Sequence, residues 1–128
     1  ELFHGYTYSG HPVACAAGIA TLDIYRDEGL FTRAAELQDV WHDAIHSLKG
    51  LPNVIDIRNI GLIGAIELAP IAGEPTKRAF NAFLKAYESG LLIRTTGDIL
   101  ALSPPLIASP QELSRMVEAI RTALRRLA

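Results

Sequence analysis

The spacing of hydrophobic residues along the chain is typical of four helices. Apolar residues recur at intervals of three and four, which places them on one face of each helix. The first three helices are each expected to end at a glycine, namely Gly29, Gly50 and Gly90. The predicted helices are Pro12–Glu28, Leu30–Lys49, Thr76–Ser89 and a last one that follows the Ser109–Glu112 capping box.

Two stretches between the helices are rich in β-branched residues and predict pairs of strands. The first pair is a predicted hairpin of Val54–Arg58 and Leu62–Leu68, joined by Asn59–Gly61. The second predicted pair is shorter and consists of Leu91–Arg94 and Ile99–Leu102. This order of elements predicts an α+β fold, in which a small, mainly antiparallel sheet is covered by helices on one face.

The hydrophobic faces predict which residues form the core. Trp41 lies on the apolar stripe of the second helix. The residues that the third helix is expected to bury are Ala79, Phe80, Phe83 and Tyr87. The segment Val13–Leu22 is Ala-rich and apolar on every side, so it must be covered by protein. Because the chain is short, this segment predicts a neighbour, either another domain or another subunit.

Composition narrows the class of protein. The chain has 128 residues, 49% of them hydrophobic and 20% charged, which is an ordinary balance for one globular domain. The net charge of -2 and the scattered Lys and Arg argue against a nucleic-acid partner, and no apolar run approaches the roughly 20 residues of a membrane span. The lone Cys15 excludes an intrachain disulfide and fits a reducing, cytoplasmic location.

Familiar catalytic and metal-binding patterns are missing. His42 and His46 lie four residues apart on one helix, but no Glu, Cys or third ligand is near them along the chain, so no metal site is predicted. Cys15 has no evident base and lies in an apolar helix, where a thiol is normally inert packing. No residue of the chain is therefore predicted to be catalytic.

The loop before the first helix carries the strongest candidate for binding. Tyr6, Thr7, Tyr8 and Ser9 place four hydroxyls beside a helix N-terminus, where free N–H groups and partial positive charge favour an anion. From the residues alone, the alternative is that these side chains, with Ser9 or His11 as the cap, close the helix and fill an interface.

Several stretches of the chain carry a family resemblance: Phe3–Pro12, Arg58–Leu68, and Gly90–Arg94 followed by Gly97–Leu100 and Ser103–Leu106. They resemble the class III aminotransferases, which are pyridoxal-phosphate enzymes of fold type I. Within that class the first loop and Arg94 are most similar to the ω-amino acid:pyruvate type, also called β-alanine–pyruvate transaminase.

The resemblance implies roles for three residues. Thr7 would bind the cofactor phosphate through its hydroxyl, in the site of the neighbouring subunit of a homodimer, with a backbone contact from Tyr6 beside it. Arg94 would pair with a substrate carboxylate and swing aside for amines that lack one; a planar guanidinium matches a carboxylate with two hydrogen bonds. The alternative for Arg94 is a solvated side chain at a strand end.

The resemblance also implies that most of the site lies elsewhere. The lysine that forms the Schiff base is expected before Glu1, because Lys49, Lys77 and Lys85 fall on helix surfaces or ends. Residues 1–29 would then end the large cofactor-binding domain and residues 30–128 would form the C-terminal small domain. Such a fragment is expected to be inactive alone and not to bind pyridoxal phosphate.

The expected activity of the full enzyme is transfer of an amino group from an ω-amino acid or amine to pyruvate. Its partners would be a small amino donor, a keto acid acceptor and a second copy of the same chain. Two alternatives stay open: another class III branch that uses 2-oxoglutarate, and a non-catalytic α+β module for binding or dimerisation.

Overall fold

A computed structural model of the chain describes residues 5–127. The part of the predicted loop that precedes Gly5 lies outside the described residues. Within them the chain forms four helices and four strands. In chain order these are α1 (Pro12–Asp27), α2 (Leu30–His46), β1 (Val54–Ile60), β2 (Ile63–Leu68), α3 (Lys77–Glu88), β3 (Arg94–Thr96), β4 (Ile99–Leu102) and α4 (Pro110–Arg125).

The strands form one antiparallel sheet in the order β1-β2-β4-β3. The predicted α+β fold with a small antiparallel sheet is therefore confirmed. The first hairpin turns at Gly61 and Leu62 instead of Asn59–Gly61, since Ile60 pairs with Ile63 and Gly61 has a φ of 51°. A positive φ suits glycine, which has no Cβ to clash.

The core lies on one face of this sheet. Side chains alternate along β2 and β4, so that Ile66, Leu68 and Leu100 are buried while the residues between them are partly exposed. Trp41 and Ile45 of α2 are fully buried against this face, which confirms the prediction that Trp41 is a core residue.

Close approach of α2 to the sheet depends on Gly64. A Cβ on this residue would lie 3.2 Å from Ile45 Cδ1 and 3.3 Å from Trp41 Nε1. Both distances are shorter than ordinary carbon contacts, so Ile45 and Trp41 would have to shift by a few tenths of an ångström to admit a larger residue. The missing side chain of Gly64 therefore sets how deeply α2 packs.

The predicted buried face of α3 is confirmed for Ala79 and wrong for Phe80 and Tyr87, while Phe83 is partly buried against the core. Ala79, Ala82 and Ala86 are fully buried, whereas Phe80 and Tyr87 are 50% and 62% exposed. The small alanines let α3 pack closely on its neighbours, and this leaves Phe80 and Tyr87 on the outer side. Phe80 stacks on the partly buried Phe83, with a centroid distance of 5.9 Å.

α1 contributes no buried residue among the described part of the chain. Its apolar side chains Val13, Ile19 and Leu22 are 72%, 63% and 65% exposed. Exposed apolar side chains in a row are costly in water, so the surface of α1 has the character of an interface. The neighbour that would cover it stays a prediction.

The N-terminus of α4 is closed by the predicted capping box, which is confirmed. Ser109 Oγ accepts the Glu112 backbone N–H at 3.2 Å, and Glu112 Oε2 accepts the Ser109 N–H at 2.8 Å. Hydrogen bonds from Ser109, first from its backbone and then from its hydroxyl, lower the pKa of Glu112 below its ordinary value of 4.5.

We expect Gly64→Ala to lower the free energy of unfolding by about 1 kcal/mol or more. Overpacking of the folded state costs about 1–3 kcal/mol. The reduced conformational entropy of the unfolded chain offsets only about 0.4–1 kcal/mol of this. Ile45→Val removes the Cδ1 atom that the new methyl group would meet and costs about 0.5–1.5 kcal/mol alone. Urea denaturation of the two single variants and the double variant checks this. The double variant should be less destabilised than the sum, and strict additivity would contradict the proposed contact.

The capping box also predicts a pH dependence. The pKa of Glu112 is lower in the folded chain than in the unfolded chain, so the ionised side chain stabilises the fold. This stabilisation is complete above about pH 4.5 and is lost as the pH falls through the lowered pKa. Glu112→Gln should therefore reduce the loss of stability between about pH 5 and pH 3, measured as urea midpoints. Glu36→Gln, an exposed change on α2, is the control. Equal pH slopes for Glu112→Gln and the parent would rule this effect out.

Candidate functional site

The loop before α1 forms tight turns that leave its hydroxyls on the surface. The Ser9 N–H donates to the Tyr6 carbonyl and the His11 N–H to the Tyr8 carbonyl, both at 3.3 Å. Thr7 and its neighbours in the loop are exposed. His11 is the N-cap residue of α1, but no side chain caps this helix, so the predicted cap by Ser9 or His11 is wrong.

An uncapped N-terminus keeps its first backbone N–H groups available to a ligand. These groups carry partial positive charge, and α1 is long enough, from Pro12 to Asp27, for its dipole to add to the effect. The Thr7 hydroxyl makes no hydrogen bond within residues 5–127 and lies a few residues ahead of these N–H groups. Hydroxyl and backbone N–H groups are donors of the kind that phosphate oxygens accept.

Arg94 begins β3 and lies on the face of the sheet opposite the core. It pairs directly with Ala101, Ala101 pairs with Ala65, and Ala65 pairs with Arg58. Paired residues of antiparallel strands project from the same face. Because Leu100, the neighbour of Ala101, is buried on the core face, this row lies on the open face, with two alanines between two arginines.

The two arginines of this row differ in their partners. Arg58 Nη1 donates to Glu67 Oε2 at 2.8 Å and also to Asp56, and these hydrogen bonds, Glu67 first, raise the pKa of Arg58. Arg94 is exposed and forms no hydrogen bond or ion pair through its guanidinium with any described residue. The Arg94 cation is therefore available to an anion that the described residues do not supply.

Arg94 also borders an open cavity of about 470 Å³. The cavity lies between the start of β3, the end of β4 and the first turns of α4. A guanidinium beside an apolar wall suits a ligand that has an aliphatic chain and a carboxylate. The apolar wall is formed by Leu91, Ile93, Leu102, Pro104, Pro105 and Met116.

None of the three lysines fits the role of a Schiff-base residue. Lys77 pairs with Glu74, and Lys85 Nζ lies 2.8 Å from Glu88 Oε2. Lys49 is exposed in the turn that follows α2. Lysines that form Schiff bases are typically desolvated, whereas these three side chains are accessible to solvent.

The remaining candidate groups for metal binding or nucleophilic chemistry were the histidines and Cys15. No cluster in residues 5–127 combines three or more His, Cys, Asp or Glu side chains in the way that a metal ion requires. Cys15 is exposed on α1.

None of the helices in residues 5–127 has both the length and the apolarity needed to cross a membrane.

The sequence profile of the family Aminotransferase class-III matches residues 1–124. The chain belongs to the class III aminotransferases. This confirms the family inferred from the first loop, the hairpin and the Arg94 region.

Two relatives show which class III aminotransferases the chain is similar to. It is 58% identical to an omega-aminotransferase of Caulobacter vibrioides over 97% of this chain and 28% of that protein. It is 48% identical to a beta-alanine–pyruvate aminotransferase of Pseudomonas aeruginosa over 100% of this chain and 29% of that protein. The chain thus spans less than a third of the length of these relatives.

Solved structures give the same family. A thermostable omega transaminase variant from Pseudomonas jessenii matches 99% of this chain and 30% of its own with a TM-score of 0.89 and 34% identity. The omega transaminase from Pseudomonas jessenii in complex with PMP matches 97% of this chain with a TM-score of 0.88. The fold of this chain is therefore the fold of part of a class III aminotransferase.

The structure places the predicted residues in two separate regions. Tyr6 and Thr7 lie in the loop before α1, and Arg94 lies on the sheet and in the cavity beside it. Their binding roles stay predictions. Sequence patterns had missed Ala65 and Ala101, the small residues beside Arg94, because strand register decides which residues share a row.

Proposed function

We propose that this chain supplies the C-terminal part of a pyridoxal-phosphate-dependent aminotransferase. The full enzyme would transfer an amino group from an ω-amino acid such as β-alanine, or from an amine, to pyruvate. The names and identities of the two bacterial relatives support this substrate class. The observation that carries it within this chain is the unpaired guanidinium of Arg94 beside two alanines on the open face of the sheet.

The role of Arg94 in this proposal is to hold the carboxylate of the donor or the acceptor. Two parallel N–H···O bonds fix both the position and the plane of a carboxylate, which a lysine would not do. Ala101 and Ala65 leave space above the sheet for the substrate chain. An amine without a carboxylate would have no such partner and would gain its affinity from the apolar wall of the cavity.

The role of Thr7 is to hold the cofactor phosphate. Bound pyridoxal phosphate supplies an electron sink for the carbon that loses or gains the amino group. Thr7 would donate its hydroxyl proton to a phosphate oxygen, and the backbone at Tyr6 would lie beside it. The exposed loop and the uncapped N-terminus of α1 support a phosphate that belongs to the neighbouring subunit of a homodimer.

The proposed division places residues 1–29 in the large domain and residues 30–128 in the small domain. The absence of buried residues from α1, beside a core that α2, α3, α4 and the sheet form, supports it. Since the three lysines do not fit a Schiff base, the catalytic lysine would be contributed by residues outside this sequence. We therefore expect residues 1–128 alone to be inactive and not to bind the cofactor.

Acceptor preference tests the proposed activity. The full-length protein should transfer the amino group of β-alanine to pyruvate with a kcat/KM at least about tenfold higher than to 2-oxoglutarate, since a mismatch of buried polar groups costs about 1.4 kcal/mol or more. Formation of alanine and of glutamate measures the two reactions. A preference for 2-oxoglutarate would contradict the pyruvate assignment and favour another branch of the class.

Arg94→Ala should selectively weaken reactions of substrates that carry a carboxylate. A hydrogen-bonded charge contributes about 1.5–3 kcal/mol, so kcat/KM for β-alanine should fall about 10- to 100-fold while kcat/KM for an amine such as 1-phenylethylamine changes much less in its donor half-reaction. Arg125→Ala, an exposed change on α4, is the control. Equal losses for both kinds of donor would argue against a carboxylate partner.

Thr7→Val should weaken binding of pyridoxal phosphate to the full-length protein by about tenfold, because it removes a hydroxyl that donates to a charged oxygen and keeps the side-chain shape. Equilibrium dialysis of the protein stripped of cofactor measures this. Thr32→Val, an exposed change on α2, should leave affinity unaltered. Should Thr7→Val bind as tightly as the parent protein, the phosphate role of Thr7 would be wrong.

A further inference from the structure

The loop between β4 and α4, residues 103–108, forms one wall of the cavity beside Arg94. Pro104 and Pro105 line that cavity, together with Met116 of α4. Pro105 and Met116 also border a second open cavity, of about 310 Å³. Because this wall loop borders two open spaces, side-chain packing alone is a weak constraint on its position.

The wall loop belongs neither to the sheet nor to α4. Pro104 and Pro105 have no N–H group, so this segment cannot continue the sheet. A backbone hydrogen bond from the Ala108 N–H to the Pro105 carbonyl, at 2.9 Å, closes a turn within the loop. Pro105 and Ile107 are exposed, so the tip of the loop is not fixed by burial.

Arg33, in the first turn of α2, holds the backbone of the wall loop from outside. Its Nε donates to the Leu106 carbonyl at 3.2 Å. Its Nη2 donates to the carbonyls of Ile107 at 3.2 Å and Ala108 at 2.8 Å. Three consecutive carbonyls therefore share one guanidinium. Hydrogen bonds from a charged donor are roughly twice as strong as neutral ones, and the planar fork fixes direction as well as distance.

The place of Arg33 in its helix indicates that this contact matters. A cation in the first turn of a helix lies beside the positive end of the helix dipole, which is unfavourable. The three carbonyls offset this cost, because each presents the negative end of its own dipole to the guanidinium. Arg33 is therefore better explained by its contact with the loop than by its own helix.

The fold does not depend on Arg33 in the same way. Leu37 and Trp41 anchor α2 in the core, and Ala108 and Leu113 are buried where the wall loop meets α4. Loss of the Arg33 side chain would therefore release the middle of the wall loop and leave the core packed. Its effect should be local to the cavity.

We propose that Arg33 is a positioning residue that holds the wall loop in place and thereby sets the affinity for donors with a large apolar group. The inference rests on the proposed function, in which Arg94 holds a carboxylate and the cavity wall holds the apolar part of the donor. An arylalkyl amine depends on the wall, because it has no carboxylate for Arg94. β-Alanine, with two methylenes between its amino and carboxyl groups, depends mainly on Arg94.

Steady-state kinetics of the full-length protein at saturating pyruvate test this role. Arg33→Met keeps an unbranched apolar stem and removes every donor. It should raise KM for 1-phenylethylamine about tenfold with kcat little changed, since one methylene gained or lost in an apolar pocket changes discrimination about 10- to 200-fold. KM for β-alanine should change less than about twofold. Arg33→Lys, which keeps the charge without the fork, should give an intermediate KM for 1-phenylethylamine.

Hydrogen exchange of the same variants reports on the wall loop without any substrate. A peptide that covers the loop should exchange several-fold faster in Arg33→Met than in the parent protein, because local opening becomes easier. Arg78→Met is the matched control. Arg78 Nε also donates to a backbone carbonyl, that of Ala69 at 2.7 Å, and neither of these two residues lines the cavity. This control should leave the two KM values and the exchange of the wall loop unchanged.

An unchanged KM for 1-phenylethylamine in Arg33→Met would overturn the inference, and so would equal increases for both donors. Unchanged hydrogen exchange in the wall loop would overturn it whatever the activity. Arg94→Ala separates this failure from that of the proposed function. If Arg94→Ala selectively weakens the reaction of β-alanine, the inference about Arg33 has failed alone. If Arg94→Ala affects neither donor, the proposed function has failed with it.

Discussion

The contact between α2 and the sheet at Gly64 is the constraint on which the rest of the structure depends. Trp41 and Ile45 pack against a strand that has no side chain at this point, and an added Cβ would meet both within 3.3 Å. Close packing of this kind leaves no room for a second arrangement. The same close packing explains why Trp41 Nε1 is buried without a hydrogen-bond partner among the described residues. The residues around the indole complement its shape and do not supply an acceptor.

Burial of one face of the sheet determines which side chains the opposite face presents. Since side chains alternate along a strand, fixing Gly64, Ile66 and Leu100 in the core sends Ala65, Ala101 and Arg94 to the opposite side. A shift of one residue in register would bury Arg94 and expose the core. The exposure of the Arg94 guanidinium on the open face is therefore a consequence of how α2 packs.

Much of the fold could be predicted from spacing and punctuation. The helices, the capping box at Ser109 and the antiparallel sheet follow from local pattern, because caps, turns and periodicity act over a few residues. The buried face of α3 could not be predicted, because burial of Ala82 in place of Phe80 depends on how closely the helix approaches its neighbours. The size of the aromatic residues led to the prediction that they face the core, but tertiary packing places the alanines there instead.

The candidate site divides in the same way. Thr7 and Arg94 were found through the resemblance of their motifs, whereas the alanines beside Arg94 required the strand register. Pairing across a sheet joins residues that are far apart along the chain, and no local pattern encodes it. The cap expected at α1 is absent because Ser9 lies in a turn two residues before the N-cap residue His11, and no side chain there accepts a hydrogen bond from the helix.

The most direct test is a structure of the full-length protein with pyridoxal phosphate and a carboxylate-bearing substrate analogue. The account predicts that Thr7 Oγ1 lies within about 3 Å of a phosphate oxygen of the cofactor in the neighbouring subunit. It also predicts that the Arg94 guanidinium contacts the analogue's carboxylate within about 3 Å. A phosphate held by other residues, with Thr7 and Arg94 both remote from cofactor and analogue, would contradict it.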